Sequence, residues 1–575
     1  MQTLDRPDRA LSVANVLTLR TRLAIWSFLA FAGMIEMIVS RHTIQDDGIC
    51  YLDMGDAILR ADWKLALNGV WSPLYPFLQG LALRIARPSA YSQFTVVHFM
   101  NFLIYLFALA CFEFFLQAVV ARRSTDSLGE TSPFPDWAVF AIGYAIFLWS
   151  ALTMMTIRLV APDTLMAAFV YLAVGLLVQI QAQPWRLSRF LFLGLALGLG
   201  YLAKAPMFPL ALIFFGIAWW MGGNWRQSTP RVLAAALVFA AAAGPWIAAL
   251  SHAKERITFG ESARFNYVVH VNDAGPGWYF QDLGTARGHY LHAPRRIFDV
   301  PPVYDFASHP LGTSPMEYDP SYWSEGAVGH FSVRKQLSVV HHYIRYYLDE
   351  FFASQSALFV GFFVVCFLGG GYLGLRQILN RWPVWVIGLA GLAMYGFVHV
   401  ELRYVGVFFA LLWIGLFSGL RVPVSTNGLR LASLVTIAVV IATATPTILN
   451  VVGDLGRIPR DTLPHNHWRV AEDLRGMGVA PGDRVARLPA HFGLGWARLL
   501  GLTEVAEIPL ENATDFWCAG QETQSQVLDK FRELRASVFV VEQAPPSPLC
   551  APRAGWRKVG DGTYYAFKLQ PLNQK

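Results

Sequence analysis

Long runs of apolar residues, separated by short polar segments, fill the chain up to residue 450. A helix needs roughly 17 to 25 apolar residues to cross a bilayer, so the pattern predicts about eleven transmembrane helices. The runs 188–203 and 206–221 are short and are the least certain pair, and 74–83 is predicted to lie in the interface or to re-enter. The predicted spans are 23–40, 92–120, 137–156, 163–183, 188–203, 206–221, 232–250, 351–375, 383–400, 404–420 and 430–449.

Arginine pairs in the connecting loops indicate the side of the membrane that each loop faces. With the N-terminus inside, every predicted inner loop carries two arginines, as the positive-inside rule expects. The same topology places five polar features together outside: the loop 41–91, the turn 158–163, Lys204, the long segment 251–349 and the residues 401–404. The inner arginines are Arg122, Arg123, Arg186, Arg189, Arg226, Arg231, Arg376, Arg381, Arg421 and Arg430.

Two adjacent carboxylates, Asp46 and Asp47, follow the first span directly. Carboxylates are costly to bury in lipid, so we expect them at the membrane surface, facing water or a cavity. Acids and aromatic residues follow them up to Tyr75, a mixture typical of an interfacial, partly helical loop. Such a loop can be a mere connector, but we interpret this one as the floor of an active site.

The segment 251–349 is too long for a simple connector and is rich in glycine, proline, histidine and aromatic residues. Its aromatic content argues against disorder, so we expect it to cover a site. Its histidines are irregularly spaced, so a metal site is not indicated, although dependence on a divalent metal stays open.

The chain changes character after residue 450 and alternates helix-like and strand-like stretches, without a glycine-rich phosphate loop. We therefore predict a soluble α/β domain over 451–575, placed outside by the odd number of spans. For Cys518 and Cys550 a disulfide and two separate thiols are both open, the first being possible only outside the cytoplasm. The helix-like stretches are 467–477, 493–500 and 521–534, and the strand-like ones are 484–487, 537–541 and a hairpin over 556–568.

Composition agrees with a polytopic α-helical membrane protein: the chain is 55% hydrophobic and 15% charged. The net charge of +7 does not indicate nucleic-acid binding, because the basic residues are scattered among apolar segments. Arginines precede the first span and no cleavage pattern follows it, so this span is expected to be a retained anchor. We thus predict a transmembrane domain over 1–450 and an extracytoplasmic α/β domain over 451–575.

The predicted outer face brings together carboxylates, a lysine and an arginine. Such a set is suited to an enzyme that transfers a group from a lipid phosphate donor to an acceptor. One carboxylate takes a proton from an acceptor hydroxyl, while the cations hold the phosphate as its negative charge grows. Four motifs in this order resemble those of the integral-membrane GT-C glycosyltransferases, particularly protein O-mannosyltransferases and lipid A aminoarabinose transferases. They are Asp46-Asp47, Arg158 with Pro162-Asp163-Thr164-Leu165, Leu202-Ala203-Lys204-Ala205-Pro206, and Glu401-Leu402-Arg403-Tyr404.

The resemblance implies a polyprenyl-phosphate sugar donor and direct displacement with inversion, on the outer face of an inner or plasma membrane. Family members commonly carry Asp-Glu in the first loop, so Asp46 matches the usual base and Asp47 replaces the glutamate. This departure leaves open which of the two acts. We predict Asp46 as the base and Asp47 as an orienting group; the alternative is that one only caps a helix.

The remaining candidates are predicted to bind substrate. Arg403 is suited to grip phosphate oxygens with two bonds, and Lys204 is expected to contact phosphate or sugar. Glu401 either takes part in binding or pairs with Arg403, and Tyr404 either bonds the phosphate or belongs to an interfacial belt. Asp163 and Arg158 are also predicted to bind substrate. Three of these residues have a structural alternative: helix capping for Asp163, and snorkelling to the interface for Arg158 and Lys204.

The leading hypothesis is therefore an inverting glycosyltransferase without a cofactor, whose acceptor is a lipid, a glycan or a protein. A transporter or flippase is the main alternative, since many spans with charged residues also describe carriers. Carriers often contain internal repeats and binding elements at the membrane midplane, and neither is evident here. A membrane sensor is a third reading, in which Asp46 and Asp47 would be dispensable.

Overall fold

The computed structural model of the chain describes residues 18–123, 131–274, 281–369, 376–458, 465–489, 493–552, 554–562 and 564–570. Within these residues, six helices are long and apolar enough to cross a membrane. A seventh is added if Val333–Ser354 and Ser356–Phe367, which meet at 80°, form one broken span. Four shorter helices of 10–17 residues are also apolar, so the prediction of about eleven crossings stays a prediction.

Helices in the first part of the chain coincide with the predicted apolar runs, and short helices are added in the connecting segments. They are α1 (Leu19–Ser40), α2 (Asp46–Leu59), α3 (Trp63–Ala66), α4 (Leu74–Ala86), α5 (Gln93–Ala121), α6 (Asp136–Trp149), α7 (Asp163–Ala182), α8 (Leu187–Ala203), α9 (Met207–Met221), α10 (Trp225–Ala253), α11 (Ser262–Asn266), α12 (Pro315–Tyr318), α13 (Pro320–Trp323), α14 (Val333–Ser354), α15 (Ser356–Gly369), α16 (Trp382–Gly396), α17 (Leu402–Ser418) and α18 (Thr426–Leu455).

The helix α14 begins within the segment that was expected to be a loop up to residue 349. Exposed apolar side chains recur along it at helical spacing, for example Leu337, Ile344 and Leu348, while polar residues lie between them. This amphipathic pattern has low mean hydropathy, so a search for continuous apolar runs misses the helix.

The helix α2 carries both acids of the Asp-Asp pair in its first turn, where carboxylates favour the positive end of the helix dipole. It packs on α4 with very close backbone contact at Gly55 and Gly80. A Cβ atom added to Gly55 would lie 2.3 Å from the carbonyl oxygen of Pro76, so only glycine fits there. The segment 74–83 is thus the support on which the acidic helix rests.

The α/β part contains a seven-stranded sheet, whose strands in spatial order are β10 (Trp556–Val559), β11 (Tyr564–Lys568), β9 (Ala536–Val541), β7 (Arg484–Leu488), β8 (Thr503–Glu507), β4 (Val303–Asp305) and β3 (Arg295–Phe298). The strands β9, β7 and β8 are parallel. Two of its strands, β3 and β4, come from the segment 251–349, so residues 451–575 do not build the sheet alone. The strand β8 was not predicted. The helices of the α/β part are α19 (Asn466–Gly476), α20 (Gly495–Leu500), α21 (Ala513–Trp517) and α22 (Gln521–Glu533).

The strands are short, and four of them lie outside the large sheet. Two pairs form separate ribbons, β1 with β6 and β2 with β5. A disulfide joins Cys518 to Cys550, the first of the two arrangements that the sequence left open. The strands are β1 (Thr131–Pro133), β2 (Arg287–Gly288), β3 (Arg295–Phe298), β4 (Val303–Asp305), β5 (Ala327–Val328), β6 (Arg421–Pro423), β7 (Arg484–Leu488), β8 (Thr503–Glu507), β9 (Ala536–Val541), β10 (Trp556–Val559) and β11 (Tyr564–Lys568).

Candidate active site

A cavity of about 990 Å³ lies where the helical part meets the α/β sheet. The start of α2, the α8–α9 turn and the start of α17 line it from the helical part. The ends of β7 and β8 line it from the sheet, and residues of the segment 251–349 complete the wall. Six of the eight predicted site residues line this cavity: Asp46, Asp47, Lys204, Glu401, Arg403 and Tyr404.

Arg403 is the central cation of the helical wall, and its side chain is only 14% exposed. Its guanidinium donates to Glu401 Oε2 at 2.6 Å, to Asp47 Oδ2 at 3.2 Å and to the Tyr404 hydroxyl at 3.3 Å. Glu401 precedes α17 in extended conformation, which brings its carboxylate back beside Arg403 in the first turn. The structure therefore brings Glu401 and Arg403 together as an ion pair and adds Asp47 to it.

Lys204 follows α8, which ends there because Pro206 two residues later disfavours continuation of the helix. Its ammonium group pairs with Asp163 and lies 3.7 Å from the centre of the Tyr404 ring. Asp163 itself is buried at the start of α7 and is not among the residues that line the cavity. Asp163 thus acts on the cavity by holding Lys204.

The two carboxylates beside Arg403 differ in acidity. Burial acts to raise the pKa of Glu401, but hydrogen bonds from His399 and Arg403 outweigh it and lower that pKa to about 2. Burial raises the pKa of Asp47, and the opposing charge of Arg403 lowers it only in part. Glu401 is therefore the fixed counter-ion of Arg403, whereas Asp47 holds its charge less firmly.

Asp46 faces the sheet rather than Arg403. The residue before it, Gln45, occupies the N-cap position of α2, so Asp46 does not cap the helix. Its Oδ1 atom is buried and makes no hydrogen bond to any residue that the structure describes. Burial raises the pKa of Asp46, and the charges nearest to it on the sheet side are those of Arg487 and Glu507. Asp46 and Asp47, which are adjacent in the sequence, thus face opposite ends of one cavity.

Sequence reasoning missed several functional-looking residues of the cavity. Glu317, on the short helix α12, has no hydrogen bond or ion pair within the described part of the chain. Burial, together with the charges of Asp46 and Asp47, raises its pKa well above the usual range. Its signal in the sequence is weak, since it is one acid in a long polar segment. Others in the lining are His270, His399, Arg487, Glu507 and Glu511.

Arg158 was predicted to bind substrate, but the structure places it outside the cavity lining. Its guanidinium forms two bonds with Glu36, of 2.6 and 2.8 Å, and also pairs with Asp454. These acids belong to α1 and α18, so Arg158 ties two helices to the turn that precedes α7. The sequence could not show this because both partners lie within or beside apolar runs.

Arg498 of α20 joins the α/β part to the helix that carries the acids. Its guanidinium donates to Asp53 Oδ1 and to Asp56 Oδ2, both at 2.6 Å. Asp53 also accepts from the backbone N–H of Thr313 at 2.6 Å. This clamp fixes α2, and with it Asp46, against the sheet.

His270 and His399 stack with ring centres 3.8 Å apart at one edge of the cavity. Across the described ranges, no group of three or more His, Cys, Asp or Glu side chains is arranged to hold a metal ion. The lining instead has Lys204 and Arg403 on the helical side, with Asp47 and Glu401 beside them. On the sheet side it has the carboxylates of Glu507 and Glu511, with Arg487, and Asp46 faces them. Such an arrangement is able to accept a proton at one end and to hold an anion at the other.

No family model and no curated protein matches the chain. Among solved structures, ArnT from Cupriavidus metallidurans in the apo state is similar over 97% of this chain and 98% of that chain, at 12% identity and a TM-score of 0.41. ArnT bound to undecaprenyl phosphate is similar over 96% and 98%, at 12% identity and a TM-score of 0.44.

An oligosaccharyltransferase from Archaeoglobus fulgidus, tethered to an acceptor peptide, is similar over 91% of this chain and 69% of that chain. Its identity is 11% and its TM-score is 0.45. ArnT, a lipid A aminoarabinose transferase, and the archaeal enzyme are both GT-C glycosyltransferases. The likeness is distant, and it assigns no role to any residue of this chain.

Proposed function

We propose that the chain is an inverting glycosyltransferase, which moves a sugar from a polyprenyl-phosphate donor to an acceptor on the extracytoplasmic face of the membrane. One observation carries this proposal: Asp46, whose Oδ1 atom is buried and which forms no ion pair with any described residue, shares a cavity with Arg403 and Lys204. A base and a phosphate-holding pair of cations are the two elements that such a transfer requires.

The donor phosphate binds at the helical end of the cavity, where Lys204 and Arg403 both lie close to the Tyr404 ring, at 3.7 and 5.1 Å from its centre. Arg403 holds Asp47 at 3.2 Å but Glu401 at 2.6 Å, so Asp47 is the partner that a phosphate displaces more easily. Glu401 then keeps the guanidinium in place, and the released Asp47 is free to orient the sugar. The cations stabilise the phosphate as negative charge grows on it during bond cleavage.

Asp46 takes the proton from the acceptor hydroxyl. The acceptor oxygen forms a bond to the anomeric carbon while the bond from that carbon to the phosphate oxygen breaks, and polyprenyl phosphate leaves. A single displacement of this kind inverts the configuration at the anomeric carbon. The raised pKa of Asp46 makes its carboxylate a stronger base than an exposed aspartate.

The polyprenyl chain lies along the apolar part of the lining. Pro206 and Pro209 contribute from the start of α9, and Met394 and Val398 contribute from the end of α16. These residues continue from Lys204 on one side and from Arg403 on the other. An isoprenoid chain attached to a phosphate held by these cations therefore meets apolar surface at once.

The test is sugar transfer by the purified protein in lipid discs, offered a panel of polyprenyl-phosphate sugars with a membrane extract as acceptor. We expect one donor to be consumed and a glycosidic product of inverted configuration to form. Transport of a lipid-linked substrate across the membrane of vesicles, without consumption of any donor in the panel, would favour the alternative function of a transporter or flippase. Addition of a chelator in parallel shows whether transfer depends on a divalent metal.

A further inference from the structure

We propose that the acceptor is an uncharged glycan, which reacts through a hydroxyl group and not through a phosphate or a carboxylate. This inference rests on the proposed function and adds the chemical class of the acceptor. It comes from the division of charge along the cavity, in which the end opposite the phosphate-binding cations is rich in carboxylates.

Three lysine or arginine side chains are among the described lining residues, and two of these cations, Lys204 and Arg403, lie at the helical end. Both are needed for the donor phosphate. The third such cation, Arg487, lies at the sheet end, beyond Asp46. An anionic acceptor would therefore have to bind Arg487.

Arg487 is already held in place by two carboxylates. Its Nε atom donates to Glu504 at 2.9 Å and its Nη2 atom donates to Glu507 at 2.6 Å. Its side chain is 7% exposed, and that of Glu504 is fully buried. An acceptor phosphate would have to displace one of these partners, so the guanidinium serves to fix the two acids and not to capture an anion.

The acids of the sheet end supply no positive charge. Glu317 and Glu511 line the cavity together with Glu507 and Asp46, whose buried Oδ1 atom lacks a partner among the described residues. A phosphate placed among these groups would be desolvated without a counter-ion, and each ionised carboxylate would repel it. Hydroxyl groups, by contrast, donate to carboxylates.

Several carboxylates around one reacting hydroxyl favour a glycan over a peptide. A serine or threonine side chain brings one donor, whereas a sugar ring brings several in fixed directions. Glu507 and Arg487 also lie at the carboxyl ends of the parallel strands β8 and β7, the edge at which open α/β sheets bind small ligands. The sheet thus presents its usual ligand edge to the cavity.

The experiment identifies the atom that receives the sugar. The purified protein in lipid discs, its active donor and a membrane extract are incubated, and the product linkage is read by mass spectrometry and phosphorus NMR. We expect a carbon–oxygen–carbon linkage to an uncharged sugar. A glycosyl phosphate, or sugar attached to a serine or threonine, would overturn the inference although the proposed function would stand. If no donor is consumed, the proposed function itself fails.

A competition assay gives a second, independent readout at saturating donor. We expect methyl glucoside 6-phosphate to inhibit transfer only at concentrations at least about tenfold higher than methyl glucoside, because the phosphate finds no free cation at the sheet end. Glu507→Gln removes one of the two carboxylates that pair with Arg487, so it should reduce the difference between the two inhibitory concentrations. The surface control Glu472→Gln should leave that difference unchanged. Stronger inhibition of the wild type by the phosphate would contradict the inference.

Discussion

Arg498 offers a direct test of how the α/β part positions the catalytic helix. Its side chain is 11% exposed, and its partners are Asp53, at 7%, and Asp56, at 28%. Arg498→Met removes the charge while keeping most of the apolar volume. Two carboxylates then lose their counter-ion in a largely buried site, which costs about 3–5 kcal/mol.

The assay is thermal unfolding of the purified protein in lipid discs, followed by tryptophan fluorescence. We expect the melting temperature of Arg498→Met to fall by about 2–4 °C, the shift that this loss produces in a chain of this length. Arg475→Met is the matched control, because Arg475 pairs with Glu472 at the surface, where such pairs contribute about 0–1 kcal/mol. The triple variant Arg498→Met, Asp53→Asn, Asp56→Asn should recover much of the loss, since no charge is left unpaired.

Activity gives the second readout of the same perturbation. Displacement of α2 by about 1 Å moves Asp46 relative to the sugar, and such a shift lowers turnover about 100-fold. Donor affinity should change little, because Arg403 and Lys204 lie on other helices. The reasoning is refuted if Arg498→Met is no less stable than Arg475→Met and transfers sugar at the wild-type rate.

Three further outcomes are expected. Arg403→Ala should weaken donor binding at least about 30-fold, because charge-assisted hydrogen bonds to the phosphate are worth about 2–3 kcal/mol; donor titration by fluorescence checks this. Arg158→Gln should lower the melting temperature but leave donor affinity within about twofold, since Arg158 pairs with Glu36 and not with the cavity. Transfer should fall about tenfold per pH unit on the acid side, as the base becomes protonated. Burial raises the pKa of Asp46 above its ordinary 3.8, so the loss of transfer on the acid side should begin above that pH. Glu507→Gln should shift this loss to lower pH, because the charge of Glu507 also raises the pKa of Asp46.

Local patterns sufficed to predict most of the long apolar helices, though not the amphipathic helix α14, and six of the residues that line the cavity. Asp46, Lys204 and Arg403 lie at the ends of apolar runs, where a charge is readable from the sequence as an interfacial group. Their meeting in one cavity follows from topology, because alternate connections of a helical bundle return to the same end. The ends of α7, α8 and α17 illustrate this.

Contacts between distant segments could not be predicted in this way. Glu317 and Arg487 reach the cavity through a sheet that combines strands from 251–349 with strands after residue 480. No periodicity in either segment indicates that pairing. The position of Arg158 outside the cavity lining could not be predicted for a related reason, since its partner Glu36 lies inside an apolar run and is buried in the bundle.

The central claim is that one cavity holds both the base and the cations that bind the donor phosphate. The most direct measurement compares the wild type with Asp46→Asn and Asp47→Asn in transfer from the active polyprenyl-phosphate donor, with donor affinity measured on the same folded samples. The account predicts that Asp46→Asn abolishes transfer and leaves donor affinity nearly unchanged, while Asp47→Asn retains partial turnover. Full transfer by both variants, or loss of donor binding in Asp46→Asn alone, would contradict it.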